Sequence, residues 1–211
     1  MLTLDIFSDP VCPWCYIGKT HLDRALESRA DHPFIVAWHP FQLNPDMPLG
    51  GVPLAPYMEQ KFGGPDKAKA AFAHVEQAAK DAGISIDMTR VPRAPNTFNA
   101  HRLIHWAGLE GRQTAVVAAL FRAYWVQSRD IGDVETLAAI AGEAGLDAAM
   151  IARLLASDAD EEALLTREDH ARARGVRAVP TFIIANQYVL SGAQPPSMWT
   201  QVIEDLAGSQ G

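Results

Sequence analysis

The sequence predicts an α/β fold: one mixed sheet assembled from both ends of the chain, with a large all-helical insertion between its halves. Three observations predict it. Residues 2–41 read as strand, turn, helix, strand. Residues from about 50 to about 170 carry almost unbroken helical spacing. Residues 179–208 revert to two short strands and a helix. Neither end alone can bury a sheet face, so a single sheet drawing on both is the simplest solution.

Taken in order, LTLDIFS (2–8) alternates in polarity and holds β-branched and aromatic residues, which marks a strand. After DPVCPWC, the apolar residues Tyr16, Ile17, Leu22, Ala25 and Leu26 fall at helical spacing, and the helix closes near Asp31 to Pro33. FIVAWHPF (34–41) is a second strand. The stretch 42–56 is rich in proline and glycine and reads as an irregular connection. LAPYMEQKF (54–62) is a short helix. Residues 65–83 form a longer one, opened by a proline suited to the first turn and stopped by Gly83. Residues 84–95 read as a loop, and 96–111, 112–130, 133–145, 146–157 and 158–175 as helices. VPTFIIANQYVLSG (179–192) gives two short strands around Ala185-Asn186-Gln187, and 194–208 a final amphipathic helix. The expected division is 1–50 with 172–211 as the sheet-bearing domain, and 51–171 as the helical insertion.

The chain has 211 residues, 48% of them hydrophobic and 20% charged, enough apolar material for a core. Lys plus Arg is 18 and Asp plus Glu is 25, a net charge of −7. Without a basic cluster, that balance argues against nucleic acid as a partner. The opening MLTLDIFSD has neither the basic start nor the apolar run of a secretory signal. No stretch approaches the ~18 apolar residues of a membrane helix. The expected compartment is therefore the cytoplasm, with no membrane partner. The 2 cysteines, Cys12 and Cys15, leave no structural disulfide framework.

The chemistry gathers at Cys12-Pro13-Trp14-Cys15, directly after a strand and at the start of a helix. The two-residue spacing lets the sulfurs reach bonding distance with little backbone movement. The helix N-terminus offers free N–H groups and a partial positive charge that stabilise a thiolate at Cys12. Pro13 lacks an N–H, which the first turn does not need. Cys12 is expected exposed and nucleophilic, and Cys15 shielded and resolving. A zinc site would need two further ligands. His101 and His105 share a predicted helix but lie far beyond zinc-finger spacing, and packing or surface roles suit them better.

A second piece is Val179-Pro180-Thr181, followed by the strand FII. A proline opening a strand is trans at an edge or cis in a tight functional turn, and the residues alone leave both open. A cis bond would turn the Val179 backbone groups outward, toward an extended peptide or a small thiol. Trp14 is expected on the active surface, offering apolar area to a substrate or tuning the thiolate. Asp5, seven residues before Cys12, is a candidate proton acceptor for Cys15, set against an exposed strand aspartate. Asp9, before Pro10, reads as a turn residue, and Lys19 as solvated. Phe121, Tyr124 and Trp125 share one helix face, as core or as a roof over the cleft. No role is read for His39.

Together, SDPVCPWCYIGK (8–19), FQLNP (41–45), PNTFNAHRL (95–103) and GVRAVPTFIIANQYVLSGAQPP (175–196) resemble the DsbA branch of the thioredoxin superfamily. The resemblance is closest to its FrnE-like subgroup, similar to 2-hydroxychromene-2-carboxylate isomerases and kappa-class glutathione transferases. It implies a thioredoxin-like sheet with a helical insertion, and Cys12 attacking with Cys15 resolving. It also implies that Pro180 is a cis-proline facing them. It suggests that Asn96 and the turn from Ser191 and Gly192 to Gln194 border the cleft. Relatives often carry Gly where this chain has Ala178; a negative φ there would keep the loop's shape. The isomerases and transferases generally place Ser where Cys12 stands, so two thiols favour redox chemistry.

The expected function is dithiol–disulfide exchange with protein or small-thiol substrates, requiring no metal or flavin, with glutathione a candidate co-substrate. The alternatives are a glutathione-dependent isomerase or transferase, and a non-catalytic binding module around Trp14. Monomer and homodimer both stay open.

Overall fold

The computed structural model describes residues 1–29 and 31–208. Its first unit is β1 (Leu2–Ser8), α1 (Pro13–Ser28) and β2 (Phe34–Pro40). The middle runs β3 (Val52–Pro53), α2 (Leu54–Phe62), α3 (Pro65–Asp81), a 3-10 turn (Met88–Arg90) and β4 (Arg93–Ala94). It continues with α4 (Phe98–Leu109), α5 (Gln113–Trp125), α6 (Val134–Glu143), α7 (Ala148–Leu155) and α8 (Glu161–Ala173). β5 (Thr181–Ile184), β6 (Tyr188–Ser191) and α9 (Pro196–Gly208) close the chain.

The sheet draws on both ends, in the order β2-β1-β5-β6. β1 pairs parallel with β2 and antiparallel with β5, and β6 pairs antiparallel with β5. The period of two in β1 sorts its side chains: Leu4, Ile6 and Ser8 are buried, while Thr3, Asp5 and Phe7 take the other face. Ile6 sits opposite Phe182, whose ring meets Trp199 of α9 edge-on at 4.8 Å. α9 also packs on α1, so this face carries the main apolar core. α8 packs on β2, and Phe41, Ala171 and Val176 form a small second cluster with Phe7 and Val179 against it.

Two short elements fall where the sequence reads as irregular. β3 and β4 pair antiparallel, Val52 opposite Ala94. Gly51 makes this approach possible, because a Cβ there would stand 2.5 Å from the Ala94 carbonyl oxygen and its φ is +63°. Runs of two residues are too short for any periodic signal. Among the described residues, no helix is long and apolar enough to cross a membrane.

The helical middle is tied down at two points. Arg102, only 1% exposed, donates to the carbonyls of Leu154 in the last turn of α7 and of Ser157 and Ala159 just past it, and pairs with Glu161 at 3.2 Å. A cation at the C-terminal end of a helix meets the negative end of its dipole. Glu168 of α8, also buried, accepts the Gln42 N–H at 2.8 Å and pairs with Arg172, fastening α8 to the segment after β2.

Candidate active site

α1 begins at Pro13, where a proline costs no hydrogen bond, and Cys12 is its N-cap in an extended conformation. The Cys12 N–H donates to the Asp9 carbonyl at 2.9 Å, and Cys15 N–H to the Cys12 carbonyl at 3.1 Å. This turn sets both sulfurs at the positive end of the helix. The Cys12 thiol donates to the Val179 carbonyl at 3.6 Å, so the loop before β5 meets the motif directly. The Val179–Pro180 peptide bond is cis. Ala178 has no positive φ, and its carbonyl accepts from the Thr181 hydroxyl at 2.7 Å.

Cys12 is not the exposed thiol expected: it is 4% exposed. The reason is the α2–α3 hairpin, which folds back over the motif as a roof. A cavity of about 240 Å3 remains beneath it, with Cys12 at its base. Trp14, Tyr57, Met58, Phe72 and Val75 line it with Tyr124, Trp125 and Val179, and Lys61 is its one cation among the described residues. Trp14 is half-buried, its ring 5.3 Å from that of His74 on α3. Tyr124 and Trp125 are core and cleft wall at once. Tyr124 donates to the Arg93 carbonyl at 2.9 Å and Trp125 to the Pro10 carbonyl at 3.1 Å.

Cys15 is 1% exposed. Burial pushes its pKa well above the ordinary thiol value, and the neighbouring Cys12 raises it further, through a hydrogen bond and through charge. The Ser8 hydroxyl and the Asp9 backbone pull it back down.

The buried carboxyl beside the motif is Asp9, not Asp5. Asp9 is fully buried; its carboxyl accepts from Val11 N–H at 3.3 Å and Leu43 N–H at 2.8 Å. It thereby ties the motif's turn to the segment after β2. Burial pushes its pKa up to about 7, against the pull of those hydrogen bonds. His101 lies behind it, 2% exposed, with Nε2 at 3.8 Å from Asp9 Oδ1 and no hydrogen-bond partner for that nitrogen among the described residues. Burial lowers the His101 pKa to about 3. Asp5 instead faces the other side of the sheet and bonds His39 Nε2 at 2.7 Å. Alternation along β1 puts it there, because it shares a face with Phe7 and not with Ser8.

Asn96 does not border the cleft. Its amide donates to the Met47 carbonyl at 2.7 Å and accepts from the Phe98 N–H at 2.9 Å, fixing the start of α4. Ser191 and Gly192 stand behind Pro180, outside the cleft lining. Gly192 N–H donates to the Pro180 carbonyl at 2.8 Å, and Ser191 is exposed. This turn packs on α1 beside Gly18. Lys19 is buried and paired with Asp23 one turn on, not solvated. His105 lies apart from the motif, beside Arg167 and Asp160.

Comparison with known proteins gives a consistent result. The family model of the DSBA-like thioredoxin domain matches residues 3–204. The uncharacterised protein YwbO of Bacillus subtilis is 27% identical over 203 residues, 96% of each chain. The probable DsbA oxidoreductase SCO1869 of Streptomyces coelicolor superposes with a TM-score of 0.89 at 30% identity, covering 99% of this chain and 91% of that one. The cytosolic disulfide reductase DsbM of Pseudomonas aeruginosa with GSH shares the fold, with a TM-score of 0.70 at 19% identity over 97% and 98% of the two chains.

Proposed function

The chain belongs to the DSBA-like thioredoxin domain family, and from that membership we propose that it is a dithiol–disulfide oxidoreductase working through Cys12 and Cys15. The observation that carries this reading is the order of the two sulfurs on α1. Cys12 lines the roofed cleft beside Val179, and Cys15, outside that lining, is shut in one turn behind.

The Cys12 thiolate attacks one sulfur of a substrate disulfide, and the other sulfur leaves as a thiolate. The mixed disulfide removes both the charge and the hydrogen bond of Cys12, the two influences besides burial that hold the Cys15 proton on. Cys15 therefore ionises more easily at the step that needs it, and its proton goes to the departing thiolate. It attacks the Cys12 sulfur, releases the second substrate sulfur as a thiolate and closes the Cys12–Cys15 disulfide. Two electrons pass from enzyme to substrate. Run in reverse, the oxidised pair accepts two electrons from a substrate dithiol.

Trp14 and the Val179 carbonyl bound the place where the substrate sulfur sits. Asp9 is a positioning residue, holding the motif's turn against Leu43. The scheme requires no metal or flavin. Glutathione is the proposed small-thiol partner, and GSH accompanies the structurally similar DsbM. The proposed compartment is the cytoplasm, consistent with a chain whose 2 cysteines are both in the motif. A glutathione-dependent isomerase or transferase would need Cys12 only to orient a thiol and would leave Cys15 idle. The presence and order of both sulfurs favour redox exchange.

Steady-state reduction of insulin and of glutathione disulfide tests this. Cys12→Ser loses both activities and Cys15→Ser loses multiple turnover. Full turnover by Cys15→Ser would instead show exchange through Cys12 alone and overturn the resolving role of Cys15.

A further inference from the structure

The sheet face turned away from α1 carries a second cavity, of about 380 Å3, between the strands and α8. None of its lining residues lines the cleft over Cys12. Its floor is apolar, with Phe7, Val176 and Ile183. Its wall is α8 with the residue that caps its end, and it presents Arg167, His170, Ala171 and Arg174. These are positions i, i+3, i+4 and i+7, the stripe that a helix packed on a sheet ordinarily fills with aliphatic side chains. Here the stripe holds two guanidinium groups and an imidazole.

Among the described residues, neither guanidinium group is in an ion pair with a carboxylate. Arg167 bonds His105 Nδ1 at 3.2 Å and Arg174 bonds Asn186 Oδ1 at 3.2 Å. Asn186 is a neutral acceptor, and burial and Arg167 itself keep the His105 pKa below its usual value. Two acids of α8 are paired elsewhere, Glu161 with Arg102 and Glu168 with Arg172, and among the described residues no carboxylate of α8 lines the cavity. Asp5, the one carboxylate among the described lining residues, is bonded to His39. An apolar floor beneath two such cations is complementary to a molecule with an apolar body and an anionic end, and a guanidinium fork matches the two oxygens of a carboxylate. The cavity volume falls within the range of small-molecule sites, roughly 300–1,000 Å3.

We propose that this cavity is a second binding site, for a small organic carboxylate whose body lies on Phe7 and Ile183 and whose carboxylate meets Arg167 or Arg174. The probe is 4-phenylbutyrate, titrated by calorimetry and by thermal shift on the full chain. Two matched controls are 4-phenylbutanol, with the same body and no charge, and inorganic phosphate, with charge and no body. Saturable binding of 4-phenylbutyrate at millimolar concentration or below is expected, with both controls weaker. Arg167→Gln or Arg174→Gln should weaken it roughly tenfold or more, the loss of a charge-assisted hydrogen bond. Both arginines are exposed, so the variants keep the fold. Lys61→Gln, at the other cleft, should leave the affinity unchanged. Equal binding of the alcohol or of phosphate would overturn the proposal. So would no saturable binding, indifference to both arginine variants, or loss of binding in Lys61→Gln.

Discussion

The Cys12 thiol and the Val179 carbonyl meet at 3.6 Å although 167 positions separate them in the sequence. Two features set this approach. Asp9 fixes the turn that carries Cys12, and Pro180 is packed against the first helix at Gly18. The substrate sulfur in the proposed exchange has to enter between these two groups.

Gly18 is the place to disturb that approach without touching either sulfur. A Cβ at Gly18 would lie 3.2 Å from Pro180 Cγ and 3.3 Å from Ala193 Cα, tighter than ordinary contact. Gly18→Ala gains about 1 kcal/mol of helix propensity but pushes the Pro180 loop outward. Disulfide-reduction activity should fall severalfold while the unfolding midpoint stays close to that of the parent. A large loss of stability with unchanged activity of the folded fraction would contradict this.

The buried pair behind the motif predicts two opposed pH dependences of stability. Asp9 binds its proton more tightly folded than unfolded, with its pKa raised to about 7. Its contribution is complete below the unfolded value near 3.8 and is lost as pH rises through about 7. His101 is the reverse, with its pKa lowered to about 3 from 6.5. Its contribution is complete above about 6.5 and is lost as pH falls through about 3. The two slopes oppose each other between roughly pH 4 and 6.5. Urea unfolding across that window should show stability falling with rising pH in His101→Gln, and rising with pH in Asp9→Asn.

Arg102 tests what holds the helical middle. Its guanidinium serves the Leu154, Ser157 and Ala159 carbonyls and Glu161. Arg102→Met fills much of the space but leaves those acceptors without their donor. A loss of about 3 kcal/mol in unfolding free energy is expected, measured by denaturant unfolding. A change within error of zero would show that water replaces the guanidinium.

How much of this was legible in the residues follows from range. The alternation of β1 and the strand–CxxC–helix order are local patterns, and the two-ended sheet follows from them and from the late strands. The burial of Asp9 is not local. An Asp-Pro pair reads as a turn, and it is one, but the Leu43 amide closes over it from beyond β2. The burial of Cys12 likewise depends on the α2–α3 hairpin returning over the motif, which helical periodicity at 54–83 does not encode. Asn96 lies in a segment that resembles its family, yet its amide is committed to Met47 and Phe98. Asp5 could have been separated from the motif by counting faces along β1, since every second residue shares a side.

The central claim is that Cys12 attacks and Cys15 resolves, and intact-mass spectrometry after incubation with glutathione disulfide tests it most directly. Cys15→Ser should accumulate one glutathione adduct, mapped to Cys12, while the parent protein passes to an adduct-free Cys12–Cys15 disulfide. An adduct that forms as readily on Cys15 in Cys12→Ser, or a parent protein that keeps its adduct, would contradict the assignment.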